Sequence, residues 1–232
     1  MFPFFYDWTF ILLLPALALA IWAQWRVRST FQEYRQVPSH AGLSGADVAR
    51  RILRLNNVAG VEVDSVPGEL SDHYDPAAHQ VNLSESTYAN RSVASLAVAA
   101  HECGHVLQHV SGYQPLLWRA KLVPVANIGS MAAFPLFFIG LLFSKGVGVF
   151  LMDLGIALFM FALLFHLVTL PVEFNASSRA LAVLEGNGML SRDEMVGARA
   201  VLRAAAWTYV ASATMALMNL IRLLILRQTA DR

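Results

Sequence analysis

Four long apolar runs limit what this chain can fold into more than any other feature. About 20 apolar residues span the hydrocarbon of a bilayer, and residues 2–25, 123–143, 147–170 and 204–226 each offer a run of roughly that length. Asp7 is the one charge in the first, the second has none, the third holds Asp153 and His166, and the fourth contains Arg222. Trp8, Trp22, Trp25, Trp118 and Trp207 fall near the ends of these runs, where amphipathic rings favour the headgroup region. Only 14% of the 232 residues are charged, well below the soluble average of about 25%. A net charge of +1, with no basic cluster, gives no field for nucleic acid. A single cysteine excludes an internal disulfide framework.

Ala18-Leu19-Ala20 imitates a signal-peptide cleavage site, yet a secretory signal begins with positive charge, and the first charge here is Asp7. The first run is therefore read as an uncleaved anchor. Nine Lys and Arg residues fall between residues 24 and 122, whereas only Lys145 lies between the second and third runs. Arg179, Arg192, Arg199 and Arg203 follow the third. Because positive residues concentrate on the cytoplasmic side, the pattern predicts an N-out first helix, with residues 26–122 and the stretch after residue 170 inside. Arg227 and Arg232 break the pattern if the fourth run crosses fully, so either that bias is too weak to matter or the run is shallow.

Between the apolar runs, residues 26–38 read as a juxtamembrane helix ended by Pro38. Residues 44–55 read as an amphipathic helix capped by Ser44, with Val48, Ile52 and Leu55 on one face. Val61-Glu62-Val63 alternates as a strand does. "GELSDHYDPAAHQVNLSE", residues 68–85, reads as a hairpin bent at Asp75-Pro76 and returning through residues 79–83. Ser92 can cap the next helix and Gly112 can end it. The organisation expected is an anchor (1–25), an α+β domain (26–122), a transmembrane hairpin (123–170), a helix (171–203) and a C-terminal hydrophobic helix with its tail (204–232). The α+β domain is too small to build a large core alone and is expected to pack on the membrane helices.

The chemistry sits in "AVAAHECGHVLQHV", residues 97–110. His101-Glu102-Cys103-Gly104-His105 matches H-E-x-x-H. Residues four apart share one helix face, so His101 and His105 can aim two imidazoles at one ion. Glu102 is placed to reach a water beside it and act as general base. Nitrogen donors with an open position suit zinc, one per chain. Without such a role, two histidines and a glutamate in a half-buried helix cost several kcal/mol. Cys103 falls on the opposite side and reads as a small core residue, while Gly104 suggests close backbone packing behind the metal.

A third protein ligand is needed. Gln108 and Ser111 stand where H-E-x-x-H-x-x-G-x-x-H wants glycine and histidine. The better candidate is Glu173 in "LPVEFNASSRALAVL", where Pro171 is expected to open a new helix. A membrane hairpin through the second and third runs returns Glu173 to the side of His101.

"DHYDP" (residues 72–76), "VAAHECGHVLQH" (98–109) and "LPVEFNASSRAL" (170–181) together resemble the bacterial membrane-bound neutral zinc metallopeptidases of the YugP-like type. The resemblance covers nearly the whole chain. It implies an α-helical integral membrane protein with a small α+β gluzincin-like zinc-protease domain at the membrane surface. The expected location is the bacterial cytoplasmic (inner) membrane, with the site facing the cytoplasm as the positive residues indicate. The family is similar to the HtpX-type and CAAX-prenyl proteases, whose third ligand is the glutamate of an E-F/Y-x-A-D stretch; this carries over onto Glu173. Ser177 stands where those relatives place the aspartate, so whatever that aspartate orients around the metal is done differently or less strongly here.

His73 and Tyr74 admit two readings: residues of the hairpin fold, or donors to the oxyanion of a tetrahedral intermediate. An edge strand there can also hold an extended peptide. The expected partners are a peptide or membrane-protein substrate and the lipid bilayer, with no nucleic acid. Rival functions are an intramembrane site-2-type protease, for which Asp153 is the tempting ligand, and a non-proteolytic zinc-stabilised scaffold or chaperone partner. The first is disfavoured because the apolar run before His101 spans only residues 93–100; the second because the base Glu102 is intact. A transporter lacks the paired polar residues of a translocation path.

Overall fold

A computed structural model of the chain describes residues 8–143 and 146–230. Phe2, where the first run was expected to begin, and Asp7, Lys145 and Arg232 lie outside the described residues. The elements are α1 (Leu14–Arg35), preceded by a 3-10 turn at Trp8–Leu13, then α2 (Gly45–Leu55), β1 (Glu62–Val66), β2 (His73–Asp75), β3 (Gln80–Ser84) and α3 (Glu85–Tyr88). Helices α4 (Val93–Val110), α5 (Gln114–Phe143), α6 (Val147–Gly186) and α7 (Arg192–Ala230) complete the chain. Two compact units result: Met1–Ala23, Leu117–Leu170 and Thr208–Arg232 form one, Gln24–Leu116 and Pro171–Trp207 the other.

Among the described residues, four helical stretches are long and apolar enough to cross a membrane: Trp8–Arg35, Gln114–Phe143, Val147–Gly186 and Arg192–Ala230. Within the first unit, α5 and α6 pack closely through small residues. A Cβ at Gly129 would collide with the Leu158 carbonyl, and one at Gly155 with that of Ala133. Where lipid supplies no hydrophobic drive, such close approach gives helices their attraction. Phe137, Met152 and Leu223 are fully buried among α5, α6 and α7. Arg227 Nε donates to Asp153 Oδ1 at 2.7 Å, and Arg222 Nε donates to Thr9 Oγ1 at 3.2 Å with its guanidinium over the Phe10 ring. The C-terminal end of α7 therefore meets the N-terminal ends of α6 and of the first apolar helix. The two arginines of α7 that lie in this unit, Arg222 and Arg227, thus have partners within it.

In the second unit, Ser44 and Asp47 form a reciprocal capping box that starts α2, satisfying two otherwise orphaned N–H groups. Helix α2 buries Val48 and Ile52 against the core that also takes Leu83, Leu96, Val106 and Leu184. The sheet has the order β1-β3-β2, with β1 parallel and β2 antiparallel to β3. Asp75 Oδ1 accepts from the N–H groups of Ala77 and Ala78 at 2.8 and 3.1 Å, closing the expected bend. Ser92 caps α4, and Gly112, at φ 62°, follows its end.

Three helical boundaries differ from the sequence expectation. The juxtamembrane segment is the continuation of α1, with no break at residue 25. Pro171 lies inside α6 and does not open a new helix; α5 likewise continues through Pro124 and Pro135. Ending a helix in apolar surroundings orphans several backbone groups, a larger loss than the single donor a proline removes. Likewise α7 starts at Arg192 and runs unbroken past residue 204.

Candidate metal centre

Helix α4 presents His101 and His105 one turn apart, their rings edge to face with centroids 4.8 Å apart. Glu173 faces them from α6: its Oε2 lies 3.3 Å from His101 Nε2 and 3.5 Å from His105 Nε2. All three ligand atoms fall within 4.8 Å of one another, the one such group of three among the described residues. Ligands about 2.0–2.1 Å from a tetrahedral zinc ion lie about 3.3–3.4 Å apart, a spacing that the two separations from Glu173 Oε2 match. Neither Asp153 nor His166 joins the group; Asp153 is paired with Arg227.

Charge is concentrated here. Burial opposes ionisation of Glu173, but hydrogen bonds from His101 and His105 prevail and hold its carboxyl well below the usual range. Burial pulls the His105 imidazole down, yet Glu173 and Glu102 together hold it above its ordinary value. A metal held by this imidazole would compete with a proton for its nitrogen. Glu102 is buried one residue beyond His101. Burial pushes its carboxyl up, and the neighbouring histidines only partly offset this.

The helix carrying the histidines is held from both sides. Gly104 lies against the Ala176 backbone of α6, as the glycine suggested. Cys103 faces the other way, buried with its Sγ 3.7 Å from the Ala49 carbonyl of α2, and burial pushes its thiol up. Ser177 Oγ lies 3.1 Å from His101 Nδ1. Sequence reasoning did not single out Gln108, whose Oε1 lies 3.0 Å from His105 Nδ1 and whose Nε2 donates to the Val172 carbonyl at 2.7 Å. A glutamine three residues beyond the second histidine was the available signal, since such pairs are neighbours on a helix.

Strand β2 packs beside α4. His73 is engaged at both nitrogens: Nδ1 is 2.8 Å from the Ser71 carbonyl, and Nε2 is 3.2 Å from Asn82 Nδ2. Tyr74 places its hydroxyl 2.8 Å from His109 Nδ1. Asp72 accepts from the N–H and hydroxyl of Ser84 at 2.8 and 2.9 Å, tying the two strands together.

The profile of a family described as "Putative neutral zinc metallopeptidase" matches residues 9–228. The chain belongs to this family. It is also 45% identical over 215 residues to the "Putative membrane protease YugP" of Bacillus subtilis (strain 168), an alignment that covers 93% of this chain and 94% of that protein. No solved structure matches the chain. The family's zinc and that relative's membrane agree with two features found here, the three clustered ligand atoms and the four apolar helices.

Proposed function

We propose that the protein is a zinc-dependent, membrane-anchored endopeptidase with a gluzincin-like site, in which His101, His105 and Glu173 hold the ion. The observation that carries this reading is the Glu173 oxygen 3.3 and 3.5 Å from two imidazole nitrogens, with a buried glutamate beside the first of them. When bound, the ion supplies Lewis acidity toward water and a peptide carbonyl. Glu102 takes the proton of the attacking water and delivers it to the amide nitrogen as the C–N bond breaks. Burial favours this role, since it raises the Glu102 carboxyl toward the neutral range. Ser177 steadies His101 in place of the aspartate of related proteases.

Tyr74 is the better oxyanion donor of the hairpin pair, because both His73 nitrogens already have partners. If His109 Nδ1–H donates to the Tyr74 oxygen, the phenolic proton is left for substrate. The outer edge of β2 receives an extended peptide by backbone pairing. The substrate is a peptide or membrane protein, and the site faces the cytoplasm from the bacterial inner membrane. Zinc content of purified His101→Ala, His105→Ala and Glu173→Ala tests the ligand set. Each is expected to fall far below one ion per chain; full zinc and full activity in Glu173→Ala would remove Glu173 from it.

A further inference from the structure

We propose that Gln108 is the positioning residue for His105, and that two acceptors on α6, the Val172 carbonyl and the Asn175 oxygen fixed by Arg179, orient its amide and so decide which imidazole nitrogen is free for the metal. This rests on the ligand set just proposed. An arginine side chain offers donors only, so the atom of Asn175 that faces Arg179 Nε at 2.8 Å is its carbonyl oxygen. The same oxygen lies 3.1 Å from one end of the Gln108 amide. The Val172 carbonyl, also purely an acceptor, lies 2.7 Å from that end. Two acceptors identify it as the NH2 group, so the carbonyl of Gln108 faces His105.

Nδ1 of His105 is 3.0 Å from that carbonyl. It must therefore carry a proton. A neutral imidazole has only one, which leaves the lone pair on Nε2, the atom 3.5 Å from Glu173 Oε2. Gln108 is fully buried, so no water exchanges with its bonds. Val172 immediately precedes Glu173: the same turn of α6 brings both the third ligand and the acceptor that orients the amide. His101 has no equivalent. The Ser177 hydroxyl can donate or accept, so its 3.1 Å contact suits either tautomer.

Gln108→Leu removes both ends of the amide. Partners of metal-bound histidines typically contribute 10–100-fold in metal affinity, so the zinc dissociation constant of the full-length protein in detergent should rise by about that factor. In zinc-loaded protein labelled with 15N-histidine, the wild-type His105 Nδ1–H signal should lie downfield and exchange slowly with water. Gln108→Leu should shift it upfield and speed its exchange. Wild-type affinity and an unchanged signal in Gln108→Leu would overturn the proposal and leave the ligand set standing. Should that variant not fold, the wild-type spectrum decides: a freely exchanging Nδ1–H, or zinc on Nδ1, overturns it. Wild-type protein that binds no zinc would overturn the ligand set, and this proposal with it.

Discussion

Gly104 of α4 packs on the backbone of Ala176 of α6 so closely that a Cβ at position 104 would collide with the Ala176 carbonyl. These two helices carry all three candidate ligands, so their separation sets the distance from Glu173 to the histidines. In an exposed helix, glycine to alanine stabilises by about 1 kcal/mol. Here Gly104→Ala is expected to destabilise by about 1–3 kcal/mol, the usual cost of overpacking, and to weaken zinc binding. Thermal unfolding and zinc titration of one preparation check both; a more stable variant with unchanged affinity would contradict the close contact.

Arg227 and Asp153 form an ion pair at the end of α7. Removing one member of a pair strands the other charge, whereas removing both does not. Arg227→Met and Asp153→Leu should each lower the melting temperature, and the double variant should recover part of the loss. Equal, additive losses would mean that the pair does not tie α7 to α6.

The clustering of His101, His105 and Glu173 was legible because it follows from coarse rules. Four-residue spacing aligns the histidines, and the membrane hairpin expected from the second and third apolar runs would return residue 173 to their side. Chain continuity at Pro171 was not legible, because a proline ends a helix in water and is tolerated where backbone groups have no other partner. Gln108 was missed for another reason. Its role depends on Val172 and Asn175, more than 60 positions away in the sequence, and no local pattern encodes the packing of α4 on α6. The hairpin at residues 68–85 was readable from Asp75-Pro76 and its alternation, but the parallel pairing of β1 with β3 required long-range information.

Burial, with the charge of Asp75 adding to it, holds the Tyr74 phenol above its usual range. The hydroxyl is therefore protonated, and able to donate, at any pH up to that raised value. If it stabilises the oxyanion, Tyr74→Phe should lower kcat by about 10²–10³-fold, typical for loss of one such donor, with zinc content unchanged. An unaltered kcat would leave Tyr74 as a fold residue bonded to His109.

Orientation can be tested without touching the site. In a Cys103→Ser background, cysteines introduced at Arg54 and Lys145 should react with impermeant thiol reagents from opposite sides of the membrane. Labelling of both from one side would contradict the topology that brings Glu173 to the side of His101.

Zinc content and peptide cleavage, measured together on wild type and Glu102→Gln, test the central claim most directly. The amide leaves both imidazoles and Glu173 in place, so the variant should hold zinc at the wild-type level. It cannot accept a proton from water, and loss of a general base typically costs about 10²–10⁴-fold in rate, so cleavage should fall at least that far. Retained zinc with undiminished cleavage would contradict the assignment of Glu102 as the base.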